Sequence, residues 1–107
     1  MTPAVQETFA ALAEPHRRAI VELLRDGERL AGDLGGQLAL TQPAVSKHLK
    51  VLREAGLVEV RHDAQRRWYR LQPAPLSEID TWLAPYRRLW TERLQALEEY
   101  LDTMPND

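Results

Sequence analysis

The stretch "LTQPAVSKHLKVLREAGLVEV", residues 40–60, contains the pattern that decides the predicted fold. Thr41 is suited to cap a helix N-terminus, and Pro43 falls in the first turn, where a missing backbone N–H costs little. Gly56 ends the helical pattern, because glycine readily adopts the left-handed conformation that follows many helices. We therefore predict a helix over residues 41–55, followed directly by an extended segment.

This predicted helix has one apolar and one polar face. The apolar face contains Val45, Leu49 and Leu52, with Ala44, Val51 and Ala55 at its margins. The polar face carries Gln42, Ser46, Lys47, Lys50 and Arg53. Glutamine pairs with adenine, serine with several bases and lysine with guanine, while cations further along a helix suit phosphates. A solvated basic face would give the same pattern, so the helix alone leaves both interpretations open.

Upstream of this helix, the pattern predicts two helices and a short extended piece. Pro3 opens a helix over residues 3–13, and Pro15 opens a second helix over residues 15–25. Residues 28–30 are predicted to be extended. The glycine-rich segment that follows is predicted to form a short helix held mainly by packing, since each glycine weakens a helix by about 1 kcal/mol.

Downstream of it, the sequence predicts a β-hairpin and a long helix. Residues 57–71 alternate apolar and polar side chains on either side of a turn at residues 63–66. A final helix is predicted over residues 77–103, with a kink at Pro85. Two short helices followed at once by a hairpin favour a winged helix-turn-helix, a mainly α fold with a small β-hairpin. We predict a single domain over residues 1–107.

The composition excludes several functional classes. The chain has 107 residues and no cysteine, which removes disulfides and thiolate sites and fits a reducing cytoplasm. It has neither a signal-peptide pattern nor an apolar run near the ~18 residues of a membrane span. No phosphate-binding loop appears, and Ser46 and His48, two positions apart on a helix, do not face each other. We therefore predict a cytoplasmic protein with no membrane partner and no enzymatic activity.

The formal net charge of −2 hides an uneven distribution. Residues 41–70 carry seven basic side chains against three acidic ones, whereas residues 72–107 carry three against seven. A positive segment that coincides with the predicted helix and hairpin favours a polyanionic partner, double-stranded DNA. Arg66 and Arg67, near the predicted hairpin tip, suit the negative potential of a neighbouring minor groove.

The segment "LTQPAVSKHLKVLREAGLVEVRHDAQRRWYRL" resembles the DNA-binding half of the ArsR/SmtB family of bacterial winged-helix repressors, and "ALAEPHRRAIVELL" resembles that family's second-helix opening. The resemblance covers residues 8–72 and, with the pattern, places a DNA-binding core over about residues 15–72. One departure is the wing turn, where many relatives have a glycine and this chain has Asp63-Ala64-Gln65. The residues predicted to contact DNA are Thr41, Gln42, Ser46, Lys47, His48, Lys50, Arg61, Arg66 and Arg67. For His48, which matches a family position near DNA, support of helix packing is the alternative.

The resemblance also implies that many relatives carry metal sites, but this chain lacks the ligands. Leu30 and Gly32 stand where one family site has a cysteine pair. A second family site takes Asp, His and Glu from the last helix; Asp80 is present here, but no histidine follows His62. A zinc site made of carboxylates alone would be unusual. We therefore predict no metal site and no cofactor, and no special role for His16.

The last predicted helix carries a long apolar stripe at near-heptad spacing, which suits a helix–helix seam. The resemblance implies that the first and last helices, residues 3–13 and 77–103, pair across a two-fold axis in a homodimer. Packing within one chain is the alternative. The residues predicted at the dimer interface are Val5, Phe9, Leu12, Leu83, Tyr86, Trp90, Leu94, Leu97 and Leu101. A small-molecule pocket lined by the aromatic cluster Trp82, Tyr86 and Trp90 is a less favoured interpretation.

Together these observations predict a dimeric, sequence-specific transcriptional repressor that binds a palindromic operator and controls its own operon. The alternative from another class is a winged-helix protein-interaction module without specific DNA binding, which the acidic pI of 5.9 favours. The sequence leaves the operator, the regulated genes and any small-molecule or protein effector unidentified.

Overall fold

The computed structural model describes residues 2–105, so the extreme ends of the predicted domain, residue 1 and residues 106–107, lie outside it. In chain order the elements are α1 (Pro3–Leu12), α2 (Pro15–Leu24), β1 (Arg29–Leu30), α3 (Ala31–Leu38), α4 (Gln42–Glu54), β2 (Val58–Asp63), β3 (Arg66–Leu71) and α5 (Ala74–Asp102). The predicted order of elements and the winged helix-turn-helix fold are confirmed.

Helices α1, α2 and α4 begin with the same local device, a capping acceptor followed by a proline. The capping side chains are those of Thr2, Glu14 and Thr41. Each accepts a hydrogen bond from the backbone N–H three residues further on, and the proline falls in the first turn, where its restricted φ suits a helix. The start of each of these helices is therefore determined by residues next to it in sequence, and the predicted cap at Thr41 is confirmed.

The corner between α1 and α2 is held by two arginines from α2. The guanidinium of Arg17 donates to the carbonyl of Ala11 at 2.7 Å, and that of Arg18 donates to the carbonyl of Leu12 at 2.8 Å. The last carbonyls of a helix have no partner within the helix, so these bonds satisfy groups that would otherwise need water. The end of α1 is thereby fastened to the start of α2.

The sheet has three antiparallel strands in the order β1-β3-β2. The predicted hairpin is β2 and β3, and the predicted extended piece forms the third strand by pairing Arg29 with Tyr69. The predicted turn over residues 63–66 is confirmed, because Asp63 pairs with Arg66 and the two residues between them, Ala64 and Gln65, form the loop. Ala64 adopts φ 55°, in the left-handed region that favours glycine.

The core lies between α2, α3, α4 and the sheet. Its fully buried side chains include Ile20, Leu34, Val45, Leu49, Leu52 and Leu57. Gly35 is buried where α3 meets α4, and a Cβ there would lie 3.2 Å from both the carbonyl oxygen of Leu40 and Cγ2 of Val45. The predicted glycine-weakened helix is thus α3, and one of its glycines permits the close approach of α4.

Helix α5 differs from the rest of the molecule because none of its 29 residues is buried. It begins at Ala74 rather than at the predicted residue 77, since Pro75 is accommodated in its first turn. Pro85 lies inside the helix, which continues through it, and the kink expected there stays a prediction. Its second half extends away from the core, which gives the molecule its elongated 68 × 34 × 21 Å shape.

Candidate nucleic-acid interface

Helix α4 divides into two faces in the structure as the sequence predicts. Val45, Leu49 and Leu52 are buried, with 0–1% of their surface exposed. The predicted DNA-contacting residues at its N-terminal end and along its outer face are exposed: Thr41, Gln42, Ser46, Lys47 and Lys50. Only three residues separate the end of α3 from the start of α4. The outer face of α4 is therefore presented from a rigid, closely packed helix pair.

The two lysines of α4 are available to an external anion. Within residues 2–105, neither Lys47 nor Lys50 forms an ion pair with an acidic side chain. A free phosphate or base edge would therefore not have to displace an internal partner. Lys47 and Lys50 are three positions apart, so they lie on neighbouring parts of one helix surface.

The wing carries four arginines, and the structure divides them into two pairs. Arg66 and Arg67 are exposed at the tip, and neither forms an ion pair in the part of the chain that the structure describes. Arg61 and Arg70 are instead held by acidic side chains of the same chain. Arg70 pairs with Glu59 across the hairpin. The tip arginines are thus the ones with freedom to reach a ligand.

Arg61 has the most structured environment of the four. Its Nη2 donates to Oε1 of Glu28 at 2.6 Å, and its guanidinium carbon lies 5.8 Å from the centre of the Trp68 ring. This hydrogen bond raises the pKa of Arg61 and lowers the pKa of Glu28. The sequence could not reveal the pair, because its partners are far apart in the chain. The DNA contact predicted for Arg61 remains a prediction, and it would compete with Glu28.

His48 lies apart from the other predicted contacts on α4. It is 19% exposed and faces the corner between α1 and α2, with Nδ1 at 3.7 Å from Oε2 of Glu14. Its ring also stacks on His16, with centroids 5.6 Å apart. Oε1 of Glu14 lies 2.9 Å from Nδ1 of His16. The predicted DNA contact of His48 therefore remains untested, while the alternative of a packing role has a concrete partner.

The carboxyl group of Glu14 is an acceptor for several groups at once. Desolvation opposes its ionisation, but the hydrogen bond with His16, the backbone N–H of Arg17 and the charges of the two histidines together lower its pKa. Glu14 is consequently a carboxylate at neutral pH. Sequence reasoning missed this cluster, because nothing in the local pattern around His16 points to His48.

The positions that the family resemblance associates with metal binding do not form a group of ligands within residues 2–105. Leu30 and Gly32 offer no ligand atom, and Asp80 is paired with Arg87 at 2.6 Å. Among residues 2–105, the one group of three potential metal ligands is Glu14, His16 and His48. His48 is far from Glu14 and His16 in the sequence, which is why the sequence alone predicts no metal site there.

The residues predicted at a dimer interface fall into two groups. Val5 is buried, and Phe9, Leu12 and Leu83 are half-buried; Phe9 packs edge-on against Trp82, with ring centroids 5.4 Å apart. The remaining five are exposed in the second half of α5: Tyr86, Trp90, Leu94, Leu97 and Leu101. Trp90 and Leu94 are 64% and 61% exposed. Phe9 thereby joins α1 to α5 and Leu12 packs against the core, while the second group is not buried by any part of residues 2–105.

The less favoured interpretation, a small-molecule pocket lined by Trp82, Tyr86 and Trp90, does not coincide with a cavity in the described residues. An open cavity of about 360 Å³ is lined by Thr2, Val5, Glu78, Thr81 and Trp82. Of the three aromatic residues named for that pocket, only Trp82 lines it. Tyr86 packs against Trp82 at 5.1 Å between ring centroids and belongs to the exposed stripe.

No helix in the described part of the chain is long and apolar enough to cross a membrane.

Comparisons with known proteins agree with this geometry. The family model described as "Bacterial regulatory protein, arsR family" matches residues 14–60. The chain is 42% identical to the HTH-type transcriptional regulator Rv2034 of Mycobacterium tuberculosis, over 92% of this chain and 90% of that protein. It is 29% identical to the transcriptional repressor SdpR of Bacillus subtilis, over 74% and 88%.

Solved structures show the same fold and relationship. An ArsR-like transcriptional regulator from Rhodococcus sp. RHA1 superposes with a TM-score of 0.71 at 29% identity, over 94% of this chain and 95% of that chain. The transcriptional repressor BigR from Xylella fastidiosa gives a TM-score of 0.63 at 34% identity, over 77% and 84%. These relatives are regulators and not enzymes, and they favour DNA binding over a pure protein-interaction module. The chain belongs to the ArsR/SmtB family, and it is a DNA-binding transcriptional repressor of the winged helix-turn-helix type.

Proposed function

We propose that this protein is a homodimeric repressor that recognises a palindromic operator through α4 and controls its own operon. The observation that carries the proposal is the construction of α4. Val45, Leu49 and Leu52 on its back are buried, while its polar N-terminal residues and its lysines are exposed, and within residues 2–105 these lysines form no ion pair. A recognition helix needs both properties, since its position must be rigid and its outer side chains must be available to bases.

The proposed contacts divide between bases and phosphates. Gln42, Ser46 and Lys47 lie in the first part of α4, where side chains of a recognition helix meet base edges. Lys50 lies further along the helix and is assigned to phosphate, which positions the protein without specifying sequence. Arg66 and Arg67 at the tip of the wing are assigned to the adjacent minor groove.

The dimer is supported by the uncovered second half of α5. Its large apolar side chains occur every three or four residues, as in helices that pack lengthwise against one another. A contiguous exposed stripe of this kind marks an interaction surface in most proteins. A two-fold dimer would place the two copies of α4 about 34 Å apart, one turn of DNA, which is the reason for expecting a palindrome.

The test is a titration of the full chain with labelled DNA from upstream of its own gene, repeated at several salt concentrations. Binding through phosphates releases counterions, so the association constant should fall steeply as salt is raised. Scrambled DNA of the same length and composition is the matched control. Equal affinity for the two DNAs, or affinity independent of salt, would exclude specific operator binding.

The competing interpretation predicts a different outcome. A winged-helix module that binds protein should retain a stoichiometric protein partner and no DNA when it is isolated from cells. A protein complex that forms without DNA would then favour the protein-interaction module over the repressor.

A further inference from the structure

The cluster of Glu14, His16 and His48 connects two separate parts of the fold. Glu14 and His16 belong to the corner between α1 and α2, while His48 is in the middle of α4. One ligand atom from each residue can be chosen so that all three atoms lie within 4.8 Å of one another. Two of the three histidines in the sequence are gathered at this point.

The donor set is that of a borderline transition-metal ion. Two imidazole nitrogens and one carboxylate oxygen, with a water as fourth ligand, form a tetrahedral arrangement that zinc commonly adopts. Imidazole ligands suit Zn²⁺, Co²⁺ and Ni²⁺, whereas Mg²⁺ and Ca²⁺ prefer oxygen alone. Donors around tetrahedral zinc are about 3.4 Å apart, given bond lengths near 2.0–2.1 Å.

The nitrogen–oxygen separations within the cluster lie on either side of the donor spacing that such an ion requires. Nδ1 of His16 is 2.9 Å from one oxygen of Glu14, and Nδ1 of His48 is 3.7 Å from the other. The three donor atoms lie within 4.8 Å of one another, so rotations of the side chains would have to draw them together to reach zinc spacing. The half-exposed side chain of His16 leaves an open side for a water ligand.

The surroundings allow a cation despite two neighbouring arginines. The guanidinium groups of Arg17 and Arg18 are bonded to carbonyl oxygens at the end of α1, not to the carboxylate of Glu14. Glu14 also caps α2 through Oε2, which accepts from the N–H of Arg17 at 2.9 Å. Each carboxylate oxygen has two lone pairs, so capping and metal binding are compatible.

We propose that Glu14, His16 and His48 bind a Zn²⁺-type divalent ion, which ties the middle of α4 to the corner between α1 and α2. The site is separate from the positions of Leu30, Gly32 and Asp80, which offer no such ligand set. Because the ligands come from distant parts of the chain, the ion would bind the folded state far better than the unfolded chain and stabilise it.

The first experiment titrates the untagged, chelator-treated full chain with Co²⁺ and follows its visible absorption, with Zn²⁺ added afterwards in competition. We expect one ion per chain, a tetrahedral Co²⁺ spectrum and displacement by Zn²⁺. His16→Gln should weaken binding at least about tenfold, because even the loss of a group that only supports a ligand costs that much. His62→Gln, which removes the one histidine outside the cluster, should bind like the wild type.

A second readout guards against a variant that fails to fold. Saturating Zn²⁺ should raise the Tm of the wild type and of His62→Gln by about 5 °C or more, and should leave His16→Gln unchanged. His48→Gln should behave as His16→Gln does. No binding by the folded wild type, or equal binding by His16→Gln and the wild type, would overturn the site. No DNA is used, so a failure of operator recognition would not affect the result.

Discussion

The winged core, residues 15–71, and the second half of α5 both carry apolar helix faces, but they differ in how far these faces are buried. In the core, Val45, Leu49 and Leu52 on the apolar face of α4 are buried against α2, α3 and the sheet. In the second half of α5, a longer apolar stripe is exposed and no other element within residues 2–105 buries it. The comparison teaches that the winged core buries its apolar face within one chain, whereas the exposed stripe of α5 is left for the partner subunit that we propose.

The largest effect is expected when a leucine is replaced by alanine, once in the winged core and once in the exposed stripe of α5. Leu52→Ala removes a fully buried side chain and should lower the free energy of unfolding by about 2–5 kcal/mol at any protein concentration. Leu94→Ala removes a side chain that is 61% exposed, so its effect should appear only in the concentration-dependent part of stability. Urea denaturation at two protein concentrations separates them. Equal, concentration-independent losses would contradict the comparison.

A charge placed in the exposed stripe should disrupt the proposed dimer without altering the core. Leu94→Glu places a charge in the exposed stripe and should raise the dimer dissociation constant at least about 100-fold, since burying an unpaired charge is costly. Gln95→Glu adds the same charge one position along, off the stripe, and should have little effect. Sedimentation equilibrium measures both. A dimeric Leu94→Glu variant would place the dimer interface elsewhere.

The third prediction distinguishes base contact from phosphate contact on α4. Lys47→Ala should cost about 1–3 kcal/mol of operator binding and reduce the preference for operator over scrambled DNA. Lys50→Ala should weaken binding to both DNAs alike. It should also reduce the slope of the logarithm of the association constant against the logarithm of the salt concentration by about 1, as expected for the loss of one phosphate contact. Fluorescence anisotropy at several salt concentrations gives the affinity of each variant for operator and for scrambled DNA. The reverse pattern would exchange the two roles.

The fourth prediction concerns the packing of α3 against α4. Gly35→Ala should be destabilising by about 1 kcal/mol, because its Cβ would press on the backbone of Leu40 and on Val45. Gly36→Ala, one position along and with nothing within 4 Å of its Cβ, should stabilise by up to about 1 kcal/mol. Urea midpoints of the two variants should therefore move in opposite directions from the wild type.

The smallest effect is expected from the ion pair at the base of the wing. The hydrogen bond from Arg61 lowers the pKa of Glu28 in the folded state. The stabilisation is therefore present above the unfolded pKa of Glu28 and is lost as the pH falls through its lower folded value. Glu28→Gln should be slightly less stable than the wild type at pH 7, and the difference should vanish at strongly acidic pH. A difference that grows on acidification would contradict the sign.

Most of the fold could be predicted from the sequence because its signals are local. The cap at Thr41, the break at Gly56 and the apolar spacing between them define α4 without reference to any other element. The wing turn was predicted at the right residues, but nothing in its sequence indicates that Ala64 adopts a left-handed conformation, because this region favours glycine. The start of α5 was predicted late because Pro75 suggested a break and instead lies in the first turn.

The site could be predicted only where its residues belong to one element. The exposed residues of α4 follow from helical periodicity alone. The pairing of Arg61 with Glu28 and the approach of His48 to Glu14 depend on how elements pack, and no spacing in the sequence encodes either contact. The same is true of the bonds from Arg17 to the end of α1, which require the angle of the corner to be known.

The exposed second half of α5 has a consequence for how the chain folds. A helix over residues 86–102 with no buried side chain resembles an isolated peptide of that length, which is marginally helical in water. Its helical order would then be supplied by association, so subunit assembly and the last step of folding become one event. Dilution should consequently lower the far-ultraviolet helix signal while the tightly packed winged core keeps its structure.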